Sequence, residues 1–445
     1  MSFKALNLLK VFSMDQKKST KPRVVIIGGG FGGLELAKNL KNAPVDVLLL
    51  DKHNYHTFQP LLYQVAAGGI AADSIGFPIR RIFTKQDNFR FALAEVERVN
   101  PENNTLTTNI GTIYFDYLII ATGSNTNFFG NKEIEHFAMP MKNIPEALNL
   151  RSLILQNLEM SLVAKDPEEK AALMTFVVVG GGPTGVELSG ALAEMRQLIL
   201  MKDYHGLRKH SMKVYLVEGK PELLASFSSG ASAKAKKFLL DMDVTIFNSV
   251  HVQSYNGTEL KIDDGTTILT RNVLWAAGVK GEVPEGMPET SITKGNRIQT
   301  DGIGRVNGYA NIFAIGDVAA VITTDTPNGH PGVAQVAIQQ GKHLAKNLAR
   351  MINGEATIPF KYNDKGSLAT IGRNKAVADL GKIHLQGFIA WVIWGVVHIM
   401  SLAGFTNKGT IFFSWAISYF TKNSDNRLIV RYFDIKTRAI DPDPK

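Results

Sequence analysis

The sequence predicts an α/β fold, two Rossmann-like domains followed by a C-terminal α+β region with amphipathic helices. Three observations predict it. Two stretches, KPRVVIIGGGFGGLELAKNL and MTFVVVGGGPTGVELSGALAEM, each run from an apolar strand through glycines in G-x-G-x-x-G spacing into a helical pattern. Each is followed by a strand that ends in a carboxylate, VDVLLLD at Asp51 and MKVYLVE at Glu218. Near the end, FIAWVIWGVVHIMSLAG (388–404) carries no charged residue.

With 445 residues, 45% hydrophobic and 20% charged, the chain is long enough for two or three domains with proper cores. Its formal charge of +9 fits either a merely basic surface or an acidic partner such as anionic lipid or a phosphate-rich cofactor, because a positive field concentrates counter-ions. The sequence has no nucleic-acid recognition module and no basic stripe with interleaved aromatics, so nucleic acid is not an expected partner. Cysteine is absent, which excludes disulfides, thiolate-held zinc, iron–sulfur clusters and dithiol redox chemistry. No metal site is expected, and redox chemistry would run on an organic cofactor. Residues 1–20 read as a basic tail: the apolar run breaks at Lys10 without a small-residue cleavage site, so it fails as a secretory signal. Phe3, Leu6, Leu9 and Phe12 leave a weak amphipathic anchor open there.

In the first glycine stretch, Gly28 permits the tight turn, Gly30 lets the backbone approach a pyrophosphate and Gly33 allows the helix to pack on the strand. The helix N-terminus then faces the anion. Asp51 follows Gly28 by 23 residues, where a carboxylate accepts hydrogen bonds from ribose hydroxyls. Gly180, Gly182 and Gly185 repeat the device. Glu218 lies farther along than the usual interval, which a long helix and the insertion MKDYHGLRKH absorb. A carboxylate there repels a 2′-phosphate and favours NAD over NADP, with Lys220 nearby acting against that preference.

Three further segments complete the pattern. FDYLIIATGS stops at Ala121, Thr122 and Gly123; NVLWAAGVKG does the same at Ala276, Ala277 and Gly278. TDGIGRVNGYANIFAIGDVAA brings Gly316 and Asp317 to a turn ahead of a helix. In this order the five segments resemble the pyridine-nucleotide-dependent flavoprotein reductases with the glutathione-reductase-like two-dinucleotide fold, over Lys21 to about Asn353. The resemblance implies that the first fold and the Gly-Asp segment share one FAD, with Asp317 on its ribityl chain, and that the inserted second fold holds NADH. It implies an FAD-binding domain over 21–143 and 297–354, an NADH-binding domain over 144–296 and a C-terminal region over 355–445. FAD contacts are expected from Gly28, Gly30, Phe31, Gly32, Gly33, Asp51, Lys52, Ala121, Thr122, Gly123, Gly316, Asp317, Ala334, Gln335 and Val336. NADH contacts are expected from Gly180, Gly182, Pro183, Thr184, Gly185, Glu187, Glu218, Ala277 and Gly278. Hydride transfer between such cofactors needs near contact in a dry, preorganised pocket.

Without cysteine, electrons leave the flavin directly, since thioredoxin-type, glutathione-type and sulfide:quinone reductases each use a protein thiol. HTFQPLLYQVAAGGIAADSIGFPIRRIF (56–83) is apolar and lacks strong periodicity; it reads either as core packing or, by its similarity to a loop of the type II NADH:quinone oxidoreductases, as wall material for flavin and acceptor. In HPGVAQVAIQQGKHLAKNL, Gln335 and Gln339 stand four apart on one helical face beside the small Ala334 and Ala337, which would let a flat ring approach. That stretch is similar to the A-Q-x-A-x-Q motif of the type II enzymes, which implies hydrogen bonds from both glutamines to a quinone headgroup. GSLATIGRNKAVADL reads as a hairpin turning at Arg373 and Asn374. By the same resemblance Lys375 lies close to flavin and acceptor, where a cation stabilises developing negative charge. Glu187 is placed near the nicotinamide, either in proton handling or as a complement to its helix dipole.

The uncharged stretch at 388–404 would make a helix of about 26 Å, short of the ~30 Å hydrocarbon core of a bilayer. GTIFFSWAISYFTK follows, with Phe412, Trp415, Tyr419 and Phe420 on one face and Ser414, Ser418 and Thr421 on another. Trp391, Trp394, Trp415 and Tyr419 suit a headgroup region, with Lys408, Lys422 and Arg427 available for anionic lipid. A monotopic anchor on the bilayer surface is the expectation; a helix buried in a dimer interface and a membrane-crossing hairpin are the alternatives. The resemblance implies a type II NADH:quinone oxidoreductase, FAD-containing, not proton-pumping and homodimeric; the short, arginine-poor N-terminal tail favours a peripheral place on the cytoplasmic face of a bacterial inner membrane over the alternative, a mitochondrial inner membrane. Two other functions stay open: a ferredoxin or rubredoxin reductase, and an NADH-responsive flavoprotein resembling apoptosis-inducing factor.

Overall fold

A computed structural model describes residues 20–204, 207, 211–402, 405–421, 426–429 and 432–441. The rest of the basic tail with its candidate anchor, Gly404 and Lys422 lie outside them. Along the chain run β1 (Arg23–Ile27), α1 (Phe31–Asn39), β2 (Asp46–Asp51), α2 (Leu62–Ala66), β3 (Phe89–Leu93), β4 (Tyr117–Ile120), α3 (Ile144–Val163), β5 (Thr175–Val179), α4 (Pro183–Met195), β6 (Lys213–Glu218), β7 (Val244–Asn248), β8 (Asn272–Trp275), β9 (Ile312–Ala314), α5 (Ala334–Ile352), β10 (Ser367–Gly372), β11 (Lys375–Leu380), α6 (Phe388–Ser401) and α7 (Phe405–Thr421), with shorter elements between. They form two compact units, one of Met1–His56, Phe77–Asn125 and Val279–Asp364, the other of Thr57–Gly76, Thr126–Gly278 and Lys365–Lys445.

The first unit is built on a parallel sheet in the order β9-β4-β1-β2-β3. Alternate residues of β1 feed opposite faces: Val24 and Ile26 join Leu34, Leu36, Leu344 and Leu348 of α1 and α5, while Val25 and Ile27 join Val99, Leu106 and Ile113. Burial on both faces explains why these strands read as continuous apolar runs, since a parallel sheet is covered on each side. The second unit carries a smaller parallel sheet, β7-β6-β5-β8. There Val177 and Val179 pack with Tyr255, Leu260 and Trp275. The hairpin β10–β11 is antiparallel and packs against α4 and α6.

The limits of the units differ from the boundaries expected at 143/144, 296/297 and 354/355. Residues 57–76 belong to the second unit because Leu62, Tyr63, Val65 and Ala66 are buried as α2 packs on α3 and α4. The hairpin and both C-terminal helices also belong there, whereas 279–296 and 355–364 belong with the first unit. Among the described residues no helix is long and apolar enough to cross a membrane.

Candidate functional site

In the first unit β1 delivers the glycine turn to the N-terminus of α1. Gly28 has φ +105°, and a Cβ there would stand 2.4 Å from the Ala121 carbonyl oxygen, so only glycine fits. A Cβ on Gly33 would stand 2.0 Å from the Gly28 oxygen, whereas one on Gly30 would meet nothing within 4 Å. The loop is thus closed on its protein side and open at Gly30. Gly30 caps α1 with no side-chain hydrogen bond, leaving the first N–H groups of the helix for an anion. Open backbone, uncapped amides and a strand-end carboxylate fit an adenine dinucleotide.

Asp51 does more than wait for a ribose. Its Oδ2 accepts from Gly29 N at 2.6 Å and its Oδ1 from His53 N at 2.7 Å, while burial raises its pKa against those two bonds. Each oxygen retains a lone pair for a ligand hydroxyl. His56, not among the expected site residues, braces the same loop: its Nδ1 lies 3.0 Å from the Gly29 oxygen, and burial lowers its pKa to about 4. Its ring meets Phe31 edge-on at 5.0 Å. Lys52 pairs with Glu282 at 2.9 Å, and Thr122 Oγ1 donates to the Glu282 carbonyl at 2.5 Å. Gly123 has φ +77° and open space beside it.

β9 ends at Gly316 and Asp317, as expected, but a short turn and the strand Ala319–Val321 separate them from α5. Asp317 Oδ2 accepts from Ser124 Oγ at 2.6 Å, and its carbonyl accepts from Arg297 Nε at 3.1 Å. Gly316 N donates to Gln340 Oε1 at 2.7 Å. Ala334 opens α5, Val336 is buried, and Gln335 and Gln339 are half-buried one turn apart. Gln339 holds a two-point pair with Asn363, donating to its carbonyl at 2.9 Å and accepting from its N–H at 3.0 Å. One Nε2 hydrogen is left for an acceptor. Ser124, Arg297 and Gln340 were missed because nothing local marks them; only the fold brings them to the Gly316–Asp317 turn.

The second unit repeats the cradle. Gly180 has φ +108° with a Cβ position 2.6 Å from the Ala276 oxygen, that of Gly185 is 1.8 Å from the Gly180 oxygen, and Gly182 is open. Pro183 and Thr184 are exposed in the first turn of α4. Glu218 accepts from Gly181 N and, at 2.7 Å, from Lys220 N, the arrangement Asp51 makes. The two locks span 22 and 37 residues; a longer helix and the segment 196–212 take up the difference, as expected. Ala277 and Gly278 follow β8, with Gly278 beside the Phe129 ring.

One turn farther along α4, Glu187 turns its carboxyl toward β10 and not to solvent, accepting from Thr370 N at 3.5 Å. Burial pushes its pKa up to about 8, against smaller downward pulls from Thr370 N–H and Trp394. Asn374 has φ 62°, completing the expected two-residue turn, and Lys375 starts β11. Lys375 acts electrostatically on Glu194, whose carboxyl also accepts from Arg373 N. The sequence reading did not anticipate Glu194.

The C-terminal aromatics are placed differently from the expectation. Trp394 is buried and lies 5.1 Å from Trp415, Trp391 lies 5.6 Å from Tyr419, and Trp415 Nε1 donates to Gln64 Oε1 at 2.8 Å. An indole that finds a hydrogen-bond acceptor and aromatic neighbours within the protein turns inward. The exposed face carries Phe388, Ile389, Val392, Val396, Met400, Phe412, Phe413 and Ile417. Arg427 pairs with Asp203, and Lys408 donates to the Met400 carbonyl at 2.8 Å, so these two of the cations expected to meet lipid are engaged within the protein; Lys422 lies outside the described residues.

The family model described as pyridine nucleotide-disulphide oxidoreductase matches residues 22–341, and that described as NDH2 C-terminal domain matches 365–422. The chain is 38% identical to the type II NADH:quinone oxidoreductase Ndh of Mycobacterium tuberculosis, covering 92% of this chain and 91% of that one. It is 30% identical to a mitochondrial internal alternative NAD(P)H-ubiquinone oxidoreductase of Arabidopsis thaliana, covering 91% of this chain and 85% of that one. In fold it is similar to NDH2 from Plasmodium falciparum in complex with NADH, with a TM-score of 0.83 at 22% identity over 92% of this chain and 99% of that one. The sulfide:quinone oxidoreductase of Aquifex aeolicus follows at a TM-score of 0.69 and 21% identity, over 90% and 96%.

Proposed function

The chain belongs to the type II NADH:quinone oxidoreductases, and from that premise we propose how its residues carry electrons from NADH through FAD to quinone without proton pumping. The observation that carries the reading is the duplicated cradle, two glycine turns each braced by a strand-end carboxylate, in a chain without cysteine. FAD, when bound, accepts a hydride from NADH and returns two electrons to an acceptor.

The chain's own residues bind, orient and handle protons. In this reading Gly28, Gly30, Phe31, Gly32 and Gly33 line the pyrophosphate turn for FAD, with Asp51 and Lys52 at the ribose end. Ala121, Thr122, Gly123, Gly316 and Asp317 hold its middle, and Ala334, Gln335 and Val336 meet it at the start of α5, where Val333 supplies no side-chain cap. Gly180, Gly182, Pro183, Thr184 and Gly185 receive the NADH pyrophosphate, flanked by Ala277 and Gly278, and Glu218 selects against a 2′-phosphate. Gln335 and Gln339 orient the quinone headgroup through neutral amides. Lys375 offsets developing negative charge, and Glu187 holds a proton at neutral pH.

The exposed apolar face of α6 and α7 supports a monotopic seat on a bilayer surface, with Phe388, Ile389, Val396, Met400 and Phe413 entering the headgroup boundary. A homodimer, carried by the resemblance alone, and the cytoplasmic face of an inner membrane complete the reading. The test is anaerobic: the flavin of the purified enzyme is reduced with NADH, then mixed with a short-chain quinone. Reoxidation coupled to quinol formation is the expected result; a flavin that stays reduced with every quinone overturns it.

A further inference from the structure

Trp415, Gln64 and Tyr63 form a hydrogen-bond chain whose direction follows from chemistry. An indole N–H only donates, and Trp415 Nε1 lies 2.8 Å from Gln64 Oε1. That commits the amide oxygen to Trp415 and turns the amide nitrogen toward the Tyr63 hydroxyl, 3.0 Å away. The Tyr63 oxygen therefore accepts, and its own proton has to go elsewhere. Tyr63 is 4% exposed, and the structure gives its hydroxyl proton no acceptor among the described residues.

Its surroundings keep the phenol in its protonated form. α2, which carries Tyr63, packs on α4, which carries Glu187 and Glu194, and both carboxyls act on the phenol electrostatically. The Trp394 indole N–H, a second buried donor, acts on the Glu187 carboxyl and makes no other hydrogen bond. Leu61, Leu62 and Phe58 add buried apolar surface to the same unit. A buried hydroxyl proton with no acceptor suits a neutral carbonyl oxygen better than a charged ligand.

We propose that the Tyr63 hydroxyl is the hydrogen-bond and proton donor to a quinone carbonyl oxygen, with Gln64 and Trp415 as its positioning residues and Glu187 as its proton source. This rests on the NADH-to-quinone reading above. As two electrons reduce the quinone and the cofactor is oxidised, the phenol O–H bond breaks and an O–H bond forms on the quinone oxygen. The phenolic oxygen takes the proton of the Glu187 carboxyl, which water replaces. The second proton of the quinol is the one that arrived with the hydride of NADH.

The experiment compares wild-type holoenzyme with Tyr63→Phe and Trp415→Phe in separate half-reactions, using ferricyanide as an acceptor that takes electrons without protons. In Tyr63→Phe, flavin reduction by NADH and reoxidation by ferricyanide are expected to stay within about twofold of wild type. Reoxidation by a short-chain quinone should slow on the order of 10²-fold, the low end for loss of an acid catalyst, with a changed solvent deuterium isotope effect. Trp415→Phe should show a smaller loss confined to the same step, and it carries the test should the tyrosine variant not fold. Wild-type quinone rates in Tyr63→Phe, or equal losses with quinone and ferricyanide, overturn the proposal. A wild-type enzyme that no quinone reoxidises overturns the parent reading as well, and so tells the two failures apart.

Discussion

Gly190 of α4 lies so close to Ile371 of β10 that a Cβ on the glycine would stand 1.8 Å from the Ile371 carbonyl oxygen. This approach lets Glu187 reach Thr370 and Glu194 reach Arg373, one on each side of the contact. Gly190→Ala is therefore expected to push the helix off the hairpin and destabilise the protein by roughly 1–3 kcal/mol, the usual cost of overpacking. Denaturant unfolding measures it, and an unchanged midpoint would mean that the hairpin yields without cost.

Glu187 should leave a signature in pH. Its folded pKa is raised from 4.5 to about 8, so between those values the native state keeps a proton that the unfolded chain has released. The group's contribution to stability thus falls as pH rises from 4.5 toward 8. Quinone reoxidation should also decline above about pH 8, as the donor form is lost. Glu187→Gln should flatten both profiles and slow the quinone step while keeping the Thr370 contact, which pH-resolved melting and stopped-flow traces would record.

Glu218 is expected to set coenzyme choice. Glu218→Ala removes the partner of Gly181 N and the carboxylate opposed to a 2′-phosphate. Loss of a charged hydrogen bond of about 1.5–3 kcal/mol predicts a KM for NADH raised on the order of tenfold or more. The NADPH-to-NADH ratio of kcat/KM should rise at the same time; a ratio that does not move would separate loop bracing from coenzyme selection.

On α6 and α7, Met400 is 67% exposed and Phe413 63%. Replacing both by Asp should weaken binding to anionic vesicles without changing turnover of a water-soluble quinone analogue or the melting temperature. Vesicle co-sedimentation is the measurement. Undiminished sedimentation would assign the apolar face to a protein partner.

Features set by local spacing were legible before the structure. The turns at Gly28 and Gly180, the carboxylates at Asp51 and Glu218 and the hairpin at Asn374 each follow from neighbours in the chain. Contacts between distant residues were not. Gln64 and Trp415 are 351 positions apart, so no periodicity announces the bond between them, nor that residues 57–76 would be buried with α3 and α4. The tryptophans misled for a related reason: hydropathy marks α6 and α7 as apolar on several sides, but which side is covered depends on an acceptor supplied by another segment. Gln339 was selected by its spacing, while Gln340, buried beside it and bonded to Gly316, differs only in the direction it faces.

The inward turn of the tryptophans also makes the molecule its own optical probe. Of the four tryptophans in the chain, Trp391, Trp394 and Trp415 all lie on α6 and α7, with Trp394 5.1 Å from Trp415 and 4.4 Å from His398. Ultraviolet emission therefore reports chiefly on a single neighbourhood, where α6 meets α7. A change in emission when vesicles or quinones are added would register events at that junction, with no label attached.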